Sequence, residues 1–554
     1  MEIRVKTKVE GQASAEHIFQ TILKNRGYLT SKQQTEFLHP PAPTLAYLLQ
    51  TSGLKKSYLR QAQQLLDQHL VLGHDICVFG DYDADGVTAT AVMWLALTAY
   101  AKKTDSTSRI LPFIPDRHRH GYGLSDLAVS EVLDGSAFKL TQIRDFAPRL
   151  IISVDTGIVA HASIDRFRKA KRDILLTDHH LPADVTLPQA NAILHTTATS
   201  GAGVAWLFAY FLLGEQAIAL LDLATIGIVG DMMPLTSLNR SLVAAGLHAL
   251  TKTKRPGLLA MKQMMGITQK PITTYDLSFG LAPRINASGR IYNPLDALRL
   301  LCTHDSHLAG ELAVKIESHN QDRQTLTDQA LTQAVARKST HKIIVIKGDY
   351  HEGIIGLVAG KLVEMFHRPA VVMSVHDNLV KGSARSLPGI NITDLLRSLP
   401  TPFLGLGGHA QAAGFSLDVS QVKTFTAKLE ALANRLIPDS ALVKTEHADL
   451  SLSLNNSSLS LAKLLHTLEP FGIGNPKPKF LFTDLTVLED RALGSEGKHH
   501  KLTVEQGGIT REVLLFNTKH PHPLKYLKSL ICTLDINLWR DKQSLELIAT
   551  YVET

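Results

Sequence analysis

From about residue 75 to 230, short apolar runs rich in β-branched residues alternate with stretches of helical periodicity. That alternation predicts βαβ units building a parallel sheet. Strands are expected at 76–80, 151–154 and 174–177, and a fourth apolar stretch, 223–230, has a helical pattern. Residues 1–70 look mostly helical and close in an amphipathic stretch from 58 to 70. Residues 239–300 look helical again, except around the proline- and glycine-bearing LAPRINASGR. From 306 to 340 there is no proline and the only glycine is Gly310. A helix of that length exceeds what one compact domain needs and predicts a link between two lobes. A second α/β unit follows, with strands at 342–346 and 370–374 and a helix after Gly356, closing near 436–439. Downstream of Pro476 the period shortens to two at 502–505, 511–516, 531–539 and 544–552, which predicts a small β-barrel. The most apolar region, 203–229, is broken by Glu215, Gln216 and Asp222 and predicts two buried helices, not a membrane span.

Composition changes this picture only slightly. At 554 residues the chain is too long for one core. Hydrophobic residues at 44% and charged residues at 20% describe a soluble globular protein. A formal charge of +7 and a pI near 9.0 lean mildly toward a polyanionic partner. Cys77, Cys302 and Cys532 are odd in number and far apart, which fits neither a disulfide framework nor a CxxC metal site. Reduced core thiols are the expectation. The N-terminal MEIRVK lacks the apolar stretch of a signal peptide, so a cytoplasmic protein is expected.

The chemistry lies where the apolar runs stop. The first leads into Asp81, Asp83 and Asp85 of DYDADG, the second into Asp155, the third into Asp178-His179-His180, and the helical stretch into Asp231. In open α/β sheets ligands sit beyond the carboxyl ends of the strands, so these groups should converge. So many carboxylates would repel one another without cations, and carboxylate plus imidazole suits Mn²⁺ or Mg²⁺ better than structural zinc. The pattern is that of a two-metal phosphoesterase. Asp81-x-Asp83-x-Asp85-Gly86 also opens like an EF-hand loop, but the twelfth position is Val92 and a strand precedes it. Neighbouring rings diverge in an extended or turn segment, so one of His179 and His180 can ligate metal while the other faces substrate. Asp178 more naturally orients a ring or a loop. Arg284, Asn286 and Arg290, expected in a loop with Pro283 and Gly289, offer groups that match phosphate oxygens. Residues 381–386 and Gly407-Gly408-His409 offer backbone N–H groups, hydroxyls and cations of the kind that bind a terminal phosphate. Phe516 and Trp539 could stack bases, although barrel aromatics are more often core.

The series DYDADG, VDTG, TDHH and GDMMPL resembles the DHH phosphoesterase superfamily. PDRHRHGYGLS at 115–125, LAPRINASGRI at 281–291, KGSARS at 381–386, GGHAQAAG at 407–414 and PFGIGNPKPKF at 470–480 extend the likeness in order over most of the chain. Together they are similar to the superfamily's bacterial single-strand-specific DNA exonucleases. The resemblance implies an α/β fold: a parallel-sheet DHH domain joined by a long helix to a smaller α/β DHHA1 domain, then a C-terminal OB-like barrel. The implied division is 1–70 helical, 71–235 catalytic, 236–340 helical with the connecting helix, 341–437 DHHA1, and 438–554 linker and barrel. It assigns two ions, Mn²⁺ or Mg²⁺, to Asp83, Asp85, Asp155, His179 and Asp231, with Asp155 bridging. Asp81 joins the same cluster as ligand or neighbour, and Asp178 and His180 complete the catalytic set, His180 near the phosphate or leaving group. Arg117, Arg284, Asn286 and Arg290 would hold substrate, and Ser383, Arg385, Gly407, Gly408 and His409 the terminal phosphate.

The implied activity is 5′-to-3′ digestion of single-stranded DNA to mononucleotides, in a cleft between lobes that excludes a duplex, within DNA repair and recombination. The implied partners are single-stranded DNA, a single-strand-binding protein and a helicase, with no membrane, and the implied state is a monomer. Two departures stand out: Thr156 where the family often has cysteine, and the segment 188–200, which lacks the usual Asn-Pro and looks like a shortened surface loop. Two rival readings are a DHH phosphoesterase for short oligonucleotides, cyclic dinucleotides or pyrophosphate, and a catalytically inactive DHH-fold scaffold. The first group generally lacks the C-terminal barrel, and the second could lose acids that are all present here.

Overall fold

The computed structural model describes residues 2–9, 11–138, 145–182, 186–268, 270–336, 340–376, 378–494, 497–518, 522–540 and 542–554. Strand β1 (Glu2–Lys8) opens the chain, where helix was expected, with alternating exposed and half-buried residues. Strands β2 (Ile76–Phe79), β3 (Ile110–Phe113), β4 (Leu150–Val154), β5 (Asp173–Asp178) and β6 (Ala192–His195) form a parallel sheet in the order β3-β2-β4-β5-β6. Every residue of β2 and β4 is buried, as befits strands covered on both faces. Phe79 pairs with Ser153, and Ser153 with Leu176, so the carboxyl ends of the three central strands stand in step. Strand β6 lies inside 188–200, so part of that segment is an edge strand with Ala192 and Leu194 buried, not a surface loop.

One face of the sheet is filled by Cys77, Phe79, Ile151, Phe167, Ile174 and Leu176. The helices Ala84–Lys103, Gly201–Leu213 and Leu221–Gly230 pack against one another, and the first two also against the sheet. The run Gly201–Gly230 is long and apolar enough to cross a membrane by composition, yet it folds as two helices joined by a 3₁₀ turn and is mostly buried within the protein. Cys77, Cys302 and Cys532 are buried free thiols, and burial pushes the pKa of each up.

The chain forms two compact units, one of Ile3–Pro283, Leu298–Ala309 and Glu446–Thr554, the other chiefly of Arg284–Ala297 and Gly310–Thr445. The long helix Ser306–Ala336 runs for 31 residues; its expected last turn, at 337–339, lies outside the described residues. In the second unit, β7 (Ile344–Gly348), β8 (Ala370–His376), β9 (Leu379–Arg385), β10 (Gly405–His409) and β11 (Ala412–Asp418) form a mixed sheet in the order β10-β11-β9-β8-β7. Residues 281–290 prove helical. The helix Ala282–Ile291 follows a π-helical turn at Asp276–Leu281. A π turn widens the backbone where Pro283 lacks an N–H and would otherwise crowd the preceding turn, so the helix survives its proline.

The C-terminal part contains β12 (Thr445–Ser451), β13 (Phe480–Leu493), β14 (His499–Gln506), β15 (Ile509–Leu515), β16 (Tyr526–Trp539) and β17 (Lys542–Glu553). β13 pairs with both β14 and β16, and β15 with β17, which closes a five-stranded barrel of the OB type. Its core continues into the N-terminal helices: Ile18, Phe19, Ile22, Leu23 and Phe37 share one apolar cluster with Leu450, Phe480, Phe482, Leu502 and Leu530.

Candidate active site

Two residues beyond β2, Asp81 is almost fully buried, and Asp83 caps the helix Ala84–Lys103. Asp83 Oδ1 accepts from the N–H groups of Asp85 and Gly86, both at 3.0 Å. Helix begins at once, so no EF-hand loop exists. Asp85 is buried at the start of that helix and accepts from Ser200 Oγ at 2.8 Å, Gly201 N at 2.7 Å and Ala202 N at 3.0 Å. Its carboxylate therefore lies against the positive end of the helix Gly201–Leu213.

Asp155 follows β4 with φ +59°, an uncommon conformation for a non-glycine residue that holds its buried carboxylate toward the others. A Cβ on Gly201 would stand 2.4 Å from Asp155 atoms, so only glycine permits this approach. Asp178 ends β5 and accepts from Ile158 N at 2.8 Å, His179 N at 2.7 Å and His180 Nδ1 at 2.8 Å. Burial would raise its pKa, but these bonds, led by His180, hold it below the usual carboxylate range. Asp178 thus orients the two histidines.

His179 Nε2 lies 3.1 Å from Asp155 Oδ1 and 3.7 Å from both Asp85 Oδ2 and Asp231 Oδ2. Burial depresses its pKa and favours the neutral, ligating imidazole. His180 is raised to about 9, chiefly by its bond to Asp178, and its Nε2 lies 3.5 Å from the Tyr122 hydroxyl. Asp231 sits at the C-terminal cap of the helix Leu221–Gly230, where backbone carbonyls already concentrate negative charge. Burial and then Asp85 push it up to about 8, and burial and then Asp83 push Asp81 to about 8. Asp85 and Asp155 are also raised, by burial first. A cluster so hostile to its own ionisation requires positive charge.

The donor atoms fall into three overlapping groups able to hold an ion, Asp81-Asp83-Asp155, Asp85-His179-Asp231 and Asp155-His179-His180, and Asp155 Oδ1 lies 3.1 Å from His179 Nε2. Asp81 Oδ1 and Asp155 Oδ1 are buried without a hydrogen-bond partner among the described residues. Those orphaned oxygens, in a set of five carboxylates and one imidazole, fit Mn²⁺ or Mg²⁺.

Arg117 stands close by, its guanidinium 5.4 Å from the Tyr82 ring centre. In the other unit, Arg284 lies on a helix, not in a loop, and pairs with Glu317, Nε to Oε2 at 2.5 Å. Asn286 and Arg290 are half-buried, four residues apart on one face of the same helix. Ser383 and Arg385 project from β9, with Arg385 donating to Ser383 Oγ at 3.1 Å. Both reach the N-terminus of the helix Ile355–Phe366: a Cβ on Gly356 would meet Arg385 at 3.1 Å and Ser383 Oγ at 3.2 Å. Gly407, Gly408 and His409 lie on strand β10, not in a turn, two strands from β9 across β11.

A match to the RecJ OB domain covers residues 448–551, the N-terminal domain of the DHH family covers 75–228, and the DHHA1 domain covers 338–435. The single-stranded-DNA-specific exonuclease RecJ of Escherichia coli K12 is 31% identical over 543 residues, covering 90% of each chain. The chain belongs to the RecJ family. Its likeness to the RecJ of Bacillus subtilis 168 is 31% over 548 residues, covering 95% of this chain and 67% of that protein. The crystal structure of RecJ from Thermus thermophilus in complex with Mn²⁺ superposes with a TM-score of 0.80 at 28% identity, covering 100% of this chain and 79% of that one.

Within this RecJ fold, three contributors escaped the sequence reading. Tyr122 meets His180 and packs edge-on against Tyr82 at 6.1 Å. Ser200 and Gly201 anchor Asp85 and admit Asp155. The flanking glycines of the GYG triplet, both at positive φ, were the visible signal for Tyr122.

Proposed function

We propose that this chain is a single-stranded-DNA-specific 5′-to-3′ exonuclease that releases mononucleotides by two-metal hydrolysis. The observation that carries the reading is the convergence of Asp81, Asp83, Asp85, Asp155, His179, His180 and Asp231 into three overlapping donor groups, with Asp155 in two of them. Asp83, Asp85, Asp155, His179 and Asp231 would hold two Mn²⁺ or Mg²⁺ ions. Such ions, when bound, make water a better nucleophile and stabilise charge on the scissile phosphate and leaving oxygen. Asp178 bonds the His180 ring and the His179 backbone N–H, and His180, whose pKa that ring bond raises, would present a proton donor toward substrate. Arg117, Asn286 and Arg290 would contact the DNA backbone.

A terminal phosphate would dock at the N-terminus of the helix Ile355–Phe366 with Ser383 and Arg385, where helix N–H groups and a guanidinium favour an anion; Gly407, Gly408 and His409 would extend that pocket. The barrel would hold the strand downstream. The barrel distinguishes the chain from shorter DHH enzymes, and the intact ligand set from a metal-free scaffold. The wider reading is a monomeric cytoplasmic repair and recombination enzyme working beside a single-strand-binding protein and a helicase.

End-labelled DNA tests the central claim. Linear single strands labelled at the 5′ end should lose that label first as mononucleotide, only with Mn²⁺ or Mg²⁺ and not in EDTA. Release of a 3′ label first, or equally rapid cutting of circular single strands, would refute it.

A further inference from the structure

Far along the chain from the catalytic acids, three other side chains converge on the barrel. Asp490 lies on β13, and His500 on β14 stands opposite Ala492, which puts both on one face of the strand pair. His522 arrives from the segment before β16. His500 Nδ1 lies 2.5 Å from Asp490 Oδ1, and His522 Nδ1 lies 2.5 Å from Asp490 Oδ2. The two imidazoles are stacked, with ring centres 3.3 Å apart and planes 13° from parallel. The Asp490 side chain is 1% exposed, His500 9% and His522 18%. The Leu524 N–H also donates to Asp490 Oδ2, at 2.8 Å.

A carboxylate buried this deeply needs positive charge beside it, and its described ion-pair partners are the two imidazoles. Protonating both rings would stack two cations face to face. Leaving both neutral provides no charge at all. A cation among the two Nδ1 atoms and the carboxylate would supply that charge, as one protonated ring would, and the donor atoms lie close enough together to share an ion.

We propose that Asp490, His500 and His522 form a metal site on the barrel, separate from the catalytic pair and suited to Zn²⁺. Two imidazoles and one carboxylate are a zinc donor set with one coordination position left over, whereas the acid-rich catalytic cluster favours hard cations. The ion would tie His522 to the β13–β14 pair. The two classes of site are therefore separable by metal.

The test uses the full chain stripped with chelator, then dialysed against Zn²⁺ in saturating Mg²⁺, with bound zinc counted by atomic absorption. One zinc per chain should remain, should persist in Asp155→Asn, and should bind at least about tenfold more weakly in His500→Gln and in His522→Gln. Zinc content equal in wild type and both glutamine variants, or no zinc retained under Mg²⁺, overturns the site. Circular dichroism checks that the variants fold. Should either fail, Co²⁺ added to the Asp155→Asn protein under Mg²⁺ decides the matter. An intense visible band of tetrahedral Co²⁺ supports the site, and its absence overturns it.

Discussion

Asp155 shows how much of the acidic cluster proposed as the catalytic centre one residue organises. It follows a buried strand, occupies a left-handed conformation and leaves one oxygen without a hydrogen bond. Its position was legible because a strand that ends in an acid is a local pattern. What surrounds it was not, because Gly201 and Ser200 reach the site from a helix over forty residues later and only the fold unites them. Asp155→Ala and Asp231→Ala should each lower nuclease turnover by more than about 100-fold, beyond what loss of a supporting residue typically costs. Neither acid supports the apolar core, so circular dichroism should show an unchanged fold. Near wild-type turnover in saturating Mn²⁺ would contradict the assignment. Gly201→Ala tests the same centre without touching a donor atom. The added methyl would overlap the Asp155 side chain at 2.4 Å, so activity should fall sharply while Asp155 remains present. Unaltered kinetics would mean the carboxylate can shift without consequence.

At the scale of elements, the strands that carry the acids followed from the sequence because they are short, largely apolar and bounded by polar residues. β13 escaped because its two-residue period is broken, by Asp484 at φ +57° and by a register shift between Val487 and Glu489. The helix Ala282–Ile291 was obscured by its proline and glycine, and with it the pairing of Arg284 to Glu317, which ties that arginine to the protein. The N-terminus of the helix Ile355–Phe366 gives a sharper test of polarity. Arg385→Ala should reduce the preference for a 5′-phosphate over a 5′-hydroxyl by about 10-fold or more, as expected for losing a charge-assisted contact. Metal binding at Asp155 should be unaffected, and an unchanged preference would place phosphate recognition elsewhere.

The helix Leu459–His466 supplies a pH test. His466 Nε2 lies 3.1 Å from Asp535 Oδ1 on β16, and that bond first, then Glu469, raises its pKa to about 9 from 6.5. The folded state therefore holds this proton more tightly than the unfolded one. Its stabilisation is complete below about pH 6.5 and disappears as pH rises through about 9. With a third of the side chain exposed, the contribution is about 1 kcal/mol after discounting for solvent. His466→Ala should lower the melting temperature by about 1 °C at pH 6 and by almost nothing at pH 10. An equal deficit at both values would show that packing, not charge, is lost.

Across the whole molecule, the barrel is less separable than its place at the end of the sequence implies. Ile18, Ile22 and Leu23 are fully buried in the cluster they share with Phe480, Phe482 and Leu502. Contacts between residues more than four hundred positions apart leave no trace in local periodicity, so the N-terminal helices looked like a region of their own. Ending the chain at Pro476 should therefore strip apolar cover from those helices and give a protein that aggregates or melts early, measurable by size exclusion and circular dichroism. A soluble, fully active truncation would show that the shared core is dispensable. The barrel's part in DNA binding is better tested by side chains largely exposed on its surface. Trp539 is 69% exposed and Phe516 53%. Base stacking on an aromatic ring is worth about 1–3 kcal/mol, so Trp539→Ala should raise Kd for long single strands by about fivefold or more. Because no charge is removed, the slope of log Kd against log salt should stay the same. Unchanged affinity at every salt concentration would mean that the exposed ring does not meet the bases.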